Sequence, residues 1–414
     1  MKEDKEKFAA KCRISGAPIA EFIDFGRMPL GNGFLSEEEF DEEYFYSMRA
    51  GFCEESKMVQ LIEQPSPEQM FHDHYAFFTS TSAGMCRHFQ QFADNVQNRY
   101  LNNDGDAFAV EIGSNDGTFL SSIAEAGIKH LGVEPSANVA DVARERGIRT
   151  VSEFFSPALA EQILKEDGPA NVISAANVIC HIPDFNGVLA GVAILLKKGG
   201  AFVYEDPYLG SVVEKTSYDQ FYDEHVFMFS ALSVAYAAEK HGLELVEVEP
   251  QATHGGSMRY TICRKGDRPV GKSVEDVMAS ECRMGLDKMA AYEQFRRNCE
   301  ESKRRLLEVL EEMKAKNLEV AGYAATSKST TVFNYCGITR DHLSYICDTT
   351  PIKQGKFSPG AHIPVVPYEV FKENPPACAL LLAWNHAEEI MAKETEYTEN
   401  GGKWIRFVPE VILS

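Results

Sequence analysis

The chain has 414 residues, of which 44% are hydrophobic and 25% are charged, and its formal net charge at pH 7 is −21. So long a chain exceeds one ordinary hydrophobic core, and we expect two or three domains. The negative charge excludes a protein that tracks nucleic-acid phosphates, which needs a basic surface, but it allows a local pocket for a small anion. Because no run of about eighteen apolar residues and no signal-peptide core is present, we expect a globular cytoplasmic protein without a membrane partner, and we treat it as a monomer.

The N-terminal segment, residues 12–63, is strand-like and rich in loops. Cys12 and Cys53 each begin a short segment in which a cysteine three positions later would complete a zinc knuckle. Ser15 and Ser56 occupy those positions, and a hydroxyl is a poor zinc ligand beside a thiolate. Two interpretations stay open, a degenerate zinc module and a pair of buried thiols, and we expect zinc to be absent or weakly held.

A glycine-rich turn gives the strongest indication of a ligand. Residues 108–120 read FAVEIGSNDGTFL, which predicts a strand, a tight turn and a helix. The glycines let backbone N–H groups approach a ligand at a helix N-terminus, and about twenty residues later a glutamate could accept hydrogen bonds from a ribose. The pattern predicts a nucleotide-like cofactor, bound by Glu111, Gly113, Asn115, Asp116, Gly117, Glu134, Pro135 and Asn177.

The chemistry of this turn distinguishes two cofactors. Its sequence is G-x-N-D-G rather than the G-x-G-x-x-G of enzymes that bind dinucleotides. The carboxylate of Asp116 would repel a pyrophosphate held against the turn, whereas it would tolerate a cationic sulfonium. We therefore favour S-adenosylmethionine over NAD.

Strand and helix patterns alternate on both sides of a helical, charge-rich stretch at residues 274–315. The first alternating region runs from residue 108 to residue 207 and predicts a parallel sheet wrapped by helices. The charge-rich stretch predicts a solvated pair of connecting helices. The second alternating region, from residue 317 onwards, predicts a smaller α/β domain.

Polar groups with acid–base chemistry follow the strands of the first region. Asn177 and His181 come at the carboxyl end of a predicted strand, on the edge where open α/β sheets bind ligands. The segment YDQFYDEHVFMF holds Tyr222, Glu224 and His225 between apolar residues. A hydrogen-bonded structural cluster is the simpler interpretation, but three proton-carrying groups downstream of a cofactor sheet favour catalysis.

The second region offers groups suited to an anionic substrate. GYAATSKSTTVFN is a glycine turn in which one lysine and several hydroxyls enter a helix, an arrangement that suits a diphosphate. The spacing is not that of a Walker loop, and the alternative is a dinucleotide fold that has lost its ligand. With two later loops, the candidate substrate residues are Thr326, Lys328, Ser329, Asn334, Lys353, His362, Asn385 and His386.

Long motifs in a fixed order resemble one family, the bacterial sugar C-methyltransferases, and they include DFGRMPLGNGF, EIGSNDGTFL, NVICHIPD, HGGSMRY and DTTPIKQGKFSPGAHIPV. The resemblance implies a small β-rich module like a zinc ribbon at residues 1–82 and a class I methyltransferase-like Rossmann domain at 83–265. A helical connector and a second Rossmann-like α/β domain follow at 266–414. It also implies methylation of carbon 3′ of a nucleotide-linked 4-keto-6-deoxy sugar, with dTDP or GDP as the nucleotide, by S-adenosylmethionine.

The same resemblance, carried over by matching position, places Tyr75, His181, Tyr222, Glu224 and His225 at the reaction centre. His225 is our candidate base because its unperturbed pKa is close to neutrality. Tyr222 or His181 would donate to an enolate oxygen, and Glu224 would orient its neighbours. Two rival functions are methylation of a hydroxyl and a sensor that binds both ligands without turnover.

Overall fold

The structure is a computed structural model that describes residues 10–66, 79–81, 83–102 and 105–414. Its strands are β1 (Ala20–Pro29), β2 (Phe45–Phe52), β3 (Val59–Leu61), β4 (Phe108–Ile112), β5 (Lys129–Val133), β6 (Thr150–Val151), β7 (Ala170–Ala176), β8 (Leu196–Pro207), β9 (Phe227–Met228), β10 (Leu243–Gln251), β11 (Ser257–Arg264), β12 (Val320–Tyr323), β13 (Ile346–Asp348), β14 (Val365–Pro367), β15 (Cys378–Leu381), β16 (Lys403–Arg406) and β17 (Ile412–Leu413). Its α-helices are α1 (Ala83–Val96), α2 (Thr118–Glu125), α3 (Ala137–Glu145), α4 (Pro157–Asp167), α5 (Phe185–Leu195), α6 (Leu209–Lys215), α7 (Ala231–Glu239), α8 (Lys272–Met284), α9 (Met289–Ala315), α10 (Ser327–Cys336), α11 (Tyr368–Glu373), α12 (Ala387–Lys393) and α13 (Thr395–Glu399). Among the described helices, none has the length and apolar character needed to cross a membrane.

The N-terminal strands form a four-stranded sheet with the order β1-β2-β3-β9. The first three strands are neighbours in sequence and pair antiparallel. The fourth strand comes from the central part of the chain, where Met228 pairs with Val59 and Phe227 pairs with Gln60. The N-terminal module and the segment that holds Tyr222 to His225 therefore share one sheet.

The central sheet has seven strands in the order β10-β11-β8-β7-β4-β5-β6. The strands from β4 to β8 pair in parallel, as the sequence predicts. β11 differs, because it lies antiparallel between β8 and β10. A short connection at residues 252–256 joins β10 to β11, and so short a link allows only an antiparallel neighbour.

The C-terminal sheet has the order β14-β13-β12-β15-β16-β17 and is parallel except for β17. The α8–α9 connection is helical as predicted, but α9 is only partly solvated, since it buries Tyr292 and Phe295. Phe22 of β1 lies 5.2 Å from Tyr292 and 6.3 Å from Phe221, measured between ring centroids. One apolar core thus joins the module, the connector and the segment that leads into Tyr222.

Candidate functional site

A cavity opens at the carboxyl ends of β4, β5 and β7, the edge where parallel sheets bind ligands. Gly113 begins the turn after β4 with a φ of 68°. A Cβ at this position would lie 2.5 Å from Cγ2 of Val178, so the turn requires glycine on both conformational and steric grounds. The predicted cofactor residues that line this cavity are Glu111, Gly113, Asn115, Glu134, Pro135 and Asn177.

Two residues of the predicted cofactor set do not line the cavity. The carboxylate of Asp116 is fully buried and accepts hydrogen bonds from the N–H of Ser80 and the hydroxyl of Thr118, and it lies 3.4 Å from the guanidinium of Arg146. Gly117 caps α2 with a φ of 78° and contacts apolar side chains. The Asp116 carboxylate is therefore held by groups of the protein itself, and its contact with the cofactor stays a prediction.

The cavity lining includes buried polar atoms that have no hydrogen-bond partner within the described residues. Glu111 is 4% exposed, and burial, with smaller contributions from Glu134 and Asp116, raises its pKa well above the usual value. Its Oε2 atom has no hydrogen-bond partner within the described residues, and neither has Oδ1 of Asn177. Glu134 instead accepts the N–H groups of Asn115 at 2.9 Å and of Ser136 at 2.8 Å. A bound cation would therefore stabilise the ionised form of Glu111.

The cavity lining also includes apolar residues that were not predicted from the sequence. Phe154 and Phe155 line the cavity a few residues after β6, and Phe154 is 48% exposed. Phe89 and Ile182 line the same cavity. Aromatic faces of this kind suit a planar heterocycle. Phe154 and Phe155 lie in the loop after a strand of the same sheet, and that position was the signal available in the sequence.

The acid–base groups predicted around His225 lie together and are buried. The rings of His181 and His225 are 5.3 Å apart between centroids, and those of Tyr222 and His225 are 4.3 Å apart. His181 also lines the cofactor cavity, so the cluster is continuous with it. Tyr75 lies outside the described residues, and its role stays a prediction.

Hydrogen bonding fixes the tautomer of His225. Its Nδ1 atom lies 2.8 Å from the carbonyl oxygen of Gln220, and because a carbonyl can only accept, Nδ1 carries the proton. The neutral ring therefore has a lone pair on Nε2. Burial lowers the pKa of His225 well below its usual value, with His181 and Lys328 adding to the effect, and burial lowers the pKa of His181 to about 4. Both histidines are neutral near pH 7.

A third histidine, His254, was not singled out from the sequence. It lines the cofactor cavity in a left-handed backbone conformation with a φ of 54°, which is uncommon for a residue with a side chain. Gln220 donates to its carbonyl oxygen at 2.7 Å. Burial lowers the pKa of His254 to about 3, and Lys328 contributes in the same direction. The sequence HGGS, in which two glycines follow the histidine, could have indicated a tight turn at His254.

Three potential metal ligands, Cys180, His181 and His225, have donor atoms within 4.8 Å of one another. The two imidazole planes are only 24° from parallel, whereas a metal ion lies in the plane of each ring that binds it. Burial also raises the pKa of the Cys180 thiol well above its usual value, which disfavours the thiolate that metals require. The geometry does not favour a metal centre here.

The four zinc-knuckle positions do meet in the N-terminal module. Sγ of Cys12 lies 3.2 Å from Oγ of Ser56, and Sγ of Cys53 lies 3.4 Å from Oγ of Ser15. The N–H of Ile14 points to Sγ of Cys12 at 3.4 Å. Two thiols and two hydroxyls do not fit a structural zinc site, which needs four good donors. Thiol–hydroxyl hydrogen bonds connect the two turns instead.

Several predicted substrate residues form hydrogen bonds with other groups of the protein. The hydroxyl of Thr326 caps α10 by accepting the N–H of Ser329 at 3.1 Å, and Ser329 is itself buried. The amide of Asn334 donates to the carbonyl of Pro359 at 3.1 Å. Nε2 of His362 lies 2.7 Å from a carboxylate oxygen of Glu43. These side chains already have hydrogen-bond partners within the protein, and their assignment to the substrate stays a prediction.

The two lysines of the predicted set have a different environment. Burial lowers the pKa of Lys328, and the largest opposing effect comes from Asp219. Burial likewise lowers the pKa of Lys353, which donates to the carbonyl of Ala325 at 2.7 Å and interacts electrostatically with Glu224. Asn385 and His386 lie in the turn Trp384–His386, and His386 is exposed. Lys328 thus acts electrostatically on His225, and Lys353 acts on Glu224.

Comparison with known proteins identifies the family to which the chain belongs. Family models match residues 12–71 as a putative zinc binding domain, residues 85–248 as a methyltransferase domain and residues 252–409 as a C-methyltransferase C-terminal domain. C-methyltransferase NovU from Streptomyces niveus is 32% identical over 403 residues, which cover 97% of this chain and 96% of NovU. The chain belongs to this family of C-methyltransferases.

Solved structures with lower similarity include magnesium protoporphyrin IX methyltransferase from Synechocystis PCC 6803 with bound S-adenosylmethionine, at 12% identity over 48% of this chain and 89% of that chain, with a TM-score of 0.34. A methyltransferase from Anabaena variabilis is 16% identical over 44% of this chain and 96% of that chain, with a TM-score of 0.33. The assignment rests on NovU and the family models. The C-methyltransferase uses S-adenosylmethionine and has the class I methyltransferase fold.

Proposed function

We propose that this C-methyltransferase transfers the methyl group of S-adenosylmethionine to carbon 3′ of a nucleotide-linked 4-keto-6-deoxy sugar. The supporting observation is the buried cluster of His181, Tyr222 and His225, which is continuous with the cofactor cavity and close to Lys328. A carbon next to a ketone becomes nucleophilic only when a base removes its proton and the enolate is stabilised. The cluster contains groups for both tasks.

In this proposal the cofactor cavity binds S-adenosylmethionine, which supplies an electrophilic methyl group. Glu111 in its ionised form pairs with the positive charge of the ligand, and Glu134 accepts from the ribose with the lone pairs that Asn115 and Ser136 leave available. Phe154 contributes to an apolar face for the adenine. Asn177 offers a carbonyl oxygen to the ligand's N–H groups.

We assign proton removal at carbon 3′ to Nε2 of His225, because Nδ1 is committed to the carbonyl of Gln220. The lowered pKa keeps His225 unprotonated at neutral pH, so it is available as an acceptor. Tyr222 or His181 donates to the oxygen at carbon 4′ as negative charge develops there. Carbon 3′ of the enolate attacks the methyl group while both ligands are held in place, the bond between the methyl carbon and sulfur breaks, and S-adenosylhomocysteine leaves. Tyr222, with help from Glu224, is the alternative base.

We place the diphosphate near Lys328 at the start of α10, with Lys353 as the second candidate. Both are cations beside the acid–base cluster, and helix N-termini favour anions. Lys328→Ala should raise KM for the sugar nucleotide more than it lowers kcat. Unchanged KM in Lys328→Ala, with an increase in Lys353→Ala, would move the diphosphate to Lys353.

The test is a panel of thymidine and guanosine diphosphate 4-keto-6-deoxy sugars, with and without a 3-amino group, incubated with S-adenosylmethionine that carries a ¹³C-methyl group. We expect NMR of the product to place the methyl carbon on carbon 3′ of one nucleotide series. A methyl group on oxygen would show a hydroxyl methyltransferase. Tight binding of both ligands without any transfer would show a sensor.

A further inference from the structure

The loop at residues 30–33, which follows β1 in the N-terminal module, lies between the reaction centre and the C-terminal domain. Gly31 donates its N–H to Oδ1 of Asp223 at 3.0 Å, and its carbonyl oxygen accepts from the hydroxyl of Thr330 at 3.0 Å. A Cβ on Gly31 would lie 2.8 Å from Oδ1 of Asp223 and 3.3 Å from the carbonyl oxygen of Ser327. The loop is therefore fixed from two sides.

Asn32 of this loop bridges the same two segments through its side chain. Its Nδ2 atom donates to Oε1 of Glu224 at 2.8 Å, and its Oδ1 atom accepts from the hydroxyl of Ser327 at 2.6 Å. Glu224 is buried, whereas Asn32 is exposed at the edge of the site. One amide thus connects a residue of the acid–base cluster to the first residue of α10.

When Glu224 is ionised, the chemistry of the three groups allows only one orientation of the amide. A carboxylate accepts hydrogen bonds and cannot donate, so the NH₂ group of Asn32 must face Glu224. The carbonyl oxygen then faces Ser327, whose hydroxyl must donate. An aspartate at position 32 could accept from Ser327 but could not donate to Glu224, so asparagine is specifically suited to this place.

The hydrogen bond from Asn32 acts on the ionisation of Glu224. Burial raises the pKa of Glu224, and the hydrogen bonds from Asn32 and Tyr222 oppose that effect, with a further contribution from Lys353. Asp223, the adjacent carboxyl, has a pKa raised by burial to about 8 and accepts the N–H of Gly31. The 30–33 loop therefore donates hydrogen bonds to two adjacent carboxyl groups, those of Asp223 and Glu224.

We propose that Asn32 is a positioning residue that orients the carboxylate of Glu224 and favours its ionised form, so that the N-terminal module is part of the reaction centre. The catalytic part of this inference rests on the proposed function, which assigns Glu224 to the acid–base cluster. The geometry of Asn32 does not depend on which sugar is methylated.

The direct test is the titration of Glu224 in ligand-free protein that carries ¹³C at the glutamate carboxyl carbons, with Glu224→Gln identifying the signal by its loss. We expect Asn32→Ala to raise the pKa of Glu224 by about one unit, because an ionised carboxylate loses a donor. Asn32→Asp should raise it further through repulsion, and Ser327→Ala should raise it less, since the donor remains but its orientation is no longer fixed. Asn400→Ala, an exposed asparagine on another surface, should leave it unchanged.

The kinetic test uses the pH dependence of kcat in the same variants. In Asn32→Ala the acidic limb should move to higher pH by the same amount, so kcat at a fixed pH on that limb should fall by up to about tenfold, and activity should recover at higher pH. Affinity for S-adenosylmethionine should stay at the wild-type value, whereas the melting temperature at neutral pH should fall, because a carboxyl whose folded-state pKa is raised destabilises the fold above its unfolded-state pKa. An unchanged Glu224 titration in both Asn32 variants overturns the inference even if the wild type is active. A shifted titration together with no methyl transfer to any sugar nucleotide instead refutes the proposed function alone.

Discussion

Glu111 makes proton release on cofactor binding a measurable quantity. Its carboxyl is buried at the end of β4, and burial together with the negative charge of Glu134 and Asp116 raises its pKa well above the usual value. The ligand-free protein therefore holds this carboxyl in its protonated form at a pH where an exposed glutamate has ionised. S-adenosylmethionine carries an ammonium and a sulfonium, and placing positive charge beside Oε2 favours ionisation. We expect binding to release up to one proton from Glu111.

The sign of the pH dependence follows from this linkage. Because the ligand prefers the ionised form, affinity should rise with pH, by up to about tenfold per unit below the pKa of Glu111 in the free protein. Glu111→Gln keeps the size of the side chain but cannot ionise, so it should abolish the pH dependence. Loss of one charge-assisted hydrogen bond should also weaken binding by about 1.5–3 kcal/mol.

Glu111→Gln should weaken cofactor binding but stabilise the folded protein. A carboxyl whose pKa is higher in the folded state destabilises the fold progressively as pH rises from the unfolded-state pKa to the folded-state pKa. Glu111→Gln should therefore melt at a higher temperature than the wild type at pH 7, and the difference should vanish near pH 4.

Isothermal titration calorimetry in buffers with different ionisation enthalpies counts the protons released. Wild-type protein should release up to one proton per bound ligand, and Glu111→Gln should release none from this site. The matched control, Glu145→Gln, changes an exposed glutamate on α3 and should behave as the wild type. Equal proton release in the wild type and in Glu111→Gln would refute the argument.

Three further predictions concern the catalytic base, the cofactor turn and the module. His225→Asn should bind both ligands but lower methyl transfer by roughly 10²–10⁴-fold, and near-normal turnover would assign the base to another residue. Gly113→Ala should lose cofactor affinity and melting temperature. Adding Val178→Ala should restore only part of the loss, because Cβ of residue 178 would still lie 2.9 Å from the new Cβ and about 1–2 kcal/mol of backbone strain would remain; full rescue would contradict the backbone argument. Ser15→Cys combined with Ser56→Cys should bind one zinc ion by elemental analysis, whereas one zinc ion per wild-type chain would contradict our view of the module.

Local chemistry made the cofactor turn predictable. The strand Phe108–Ile112, the glycine turn and the following helix all depend on residues within one short stretch, and the left-handed φ of Gly113 is a local requirement. The position of Glu134 after the next strand follows from the same rule for strand ends. Elements of this kind can be read from the sequence, because their determinants are neighbours in the chain.

The direction of individual side chains could not be read in the same way. Asp116 is paired with Arg146, which follows it by 30 residues, and His362 is paired with Glu43, which lies 319 residues away. A sequence pattern shows that these groups are polar, but it does not show which partner in the folded chain reaches them first. The hydrogen bond between Asn32 and Glu224 likewise joins residues that are far apart in the chain. It cannot be predicted from the motif around Asn32 alone or from the motif around Glu224 alone.

The pairing of β9 with β3 has a consequence for how this enzyme can be divided and recombined. Phe227 and Met228 complete the N-terminal sheet, and they follow the acid–base segment after one intervening residue. A shortened chain that lacks the module would leave this short strand as an apolar, unpaired edge, which favours aggregation. Exchange of modules between relatives should therefore succeed only when residues 12–63 and 221–229 are transplanted as a matched pair.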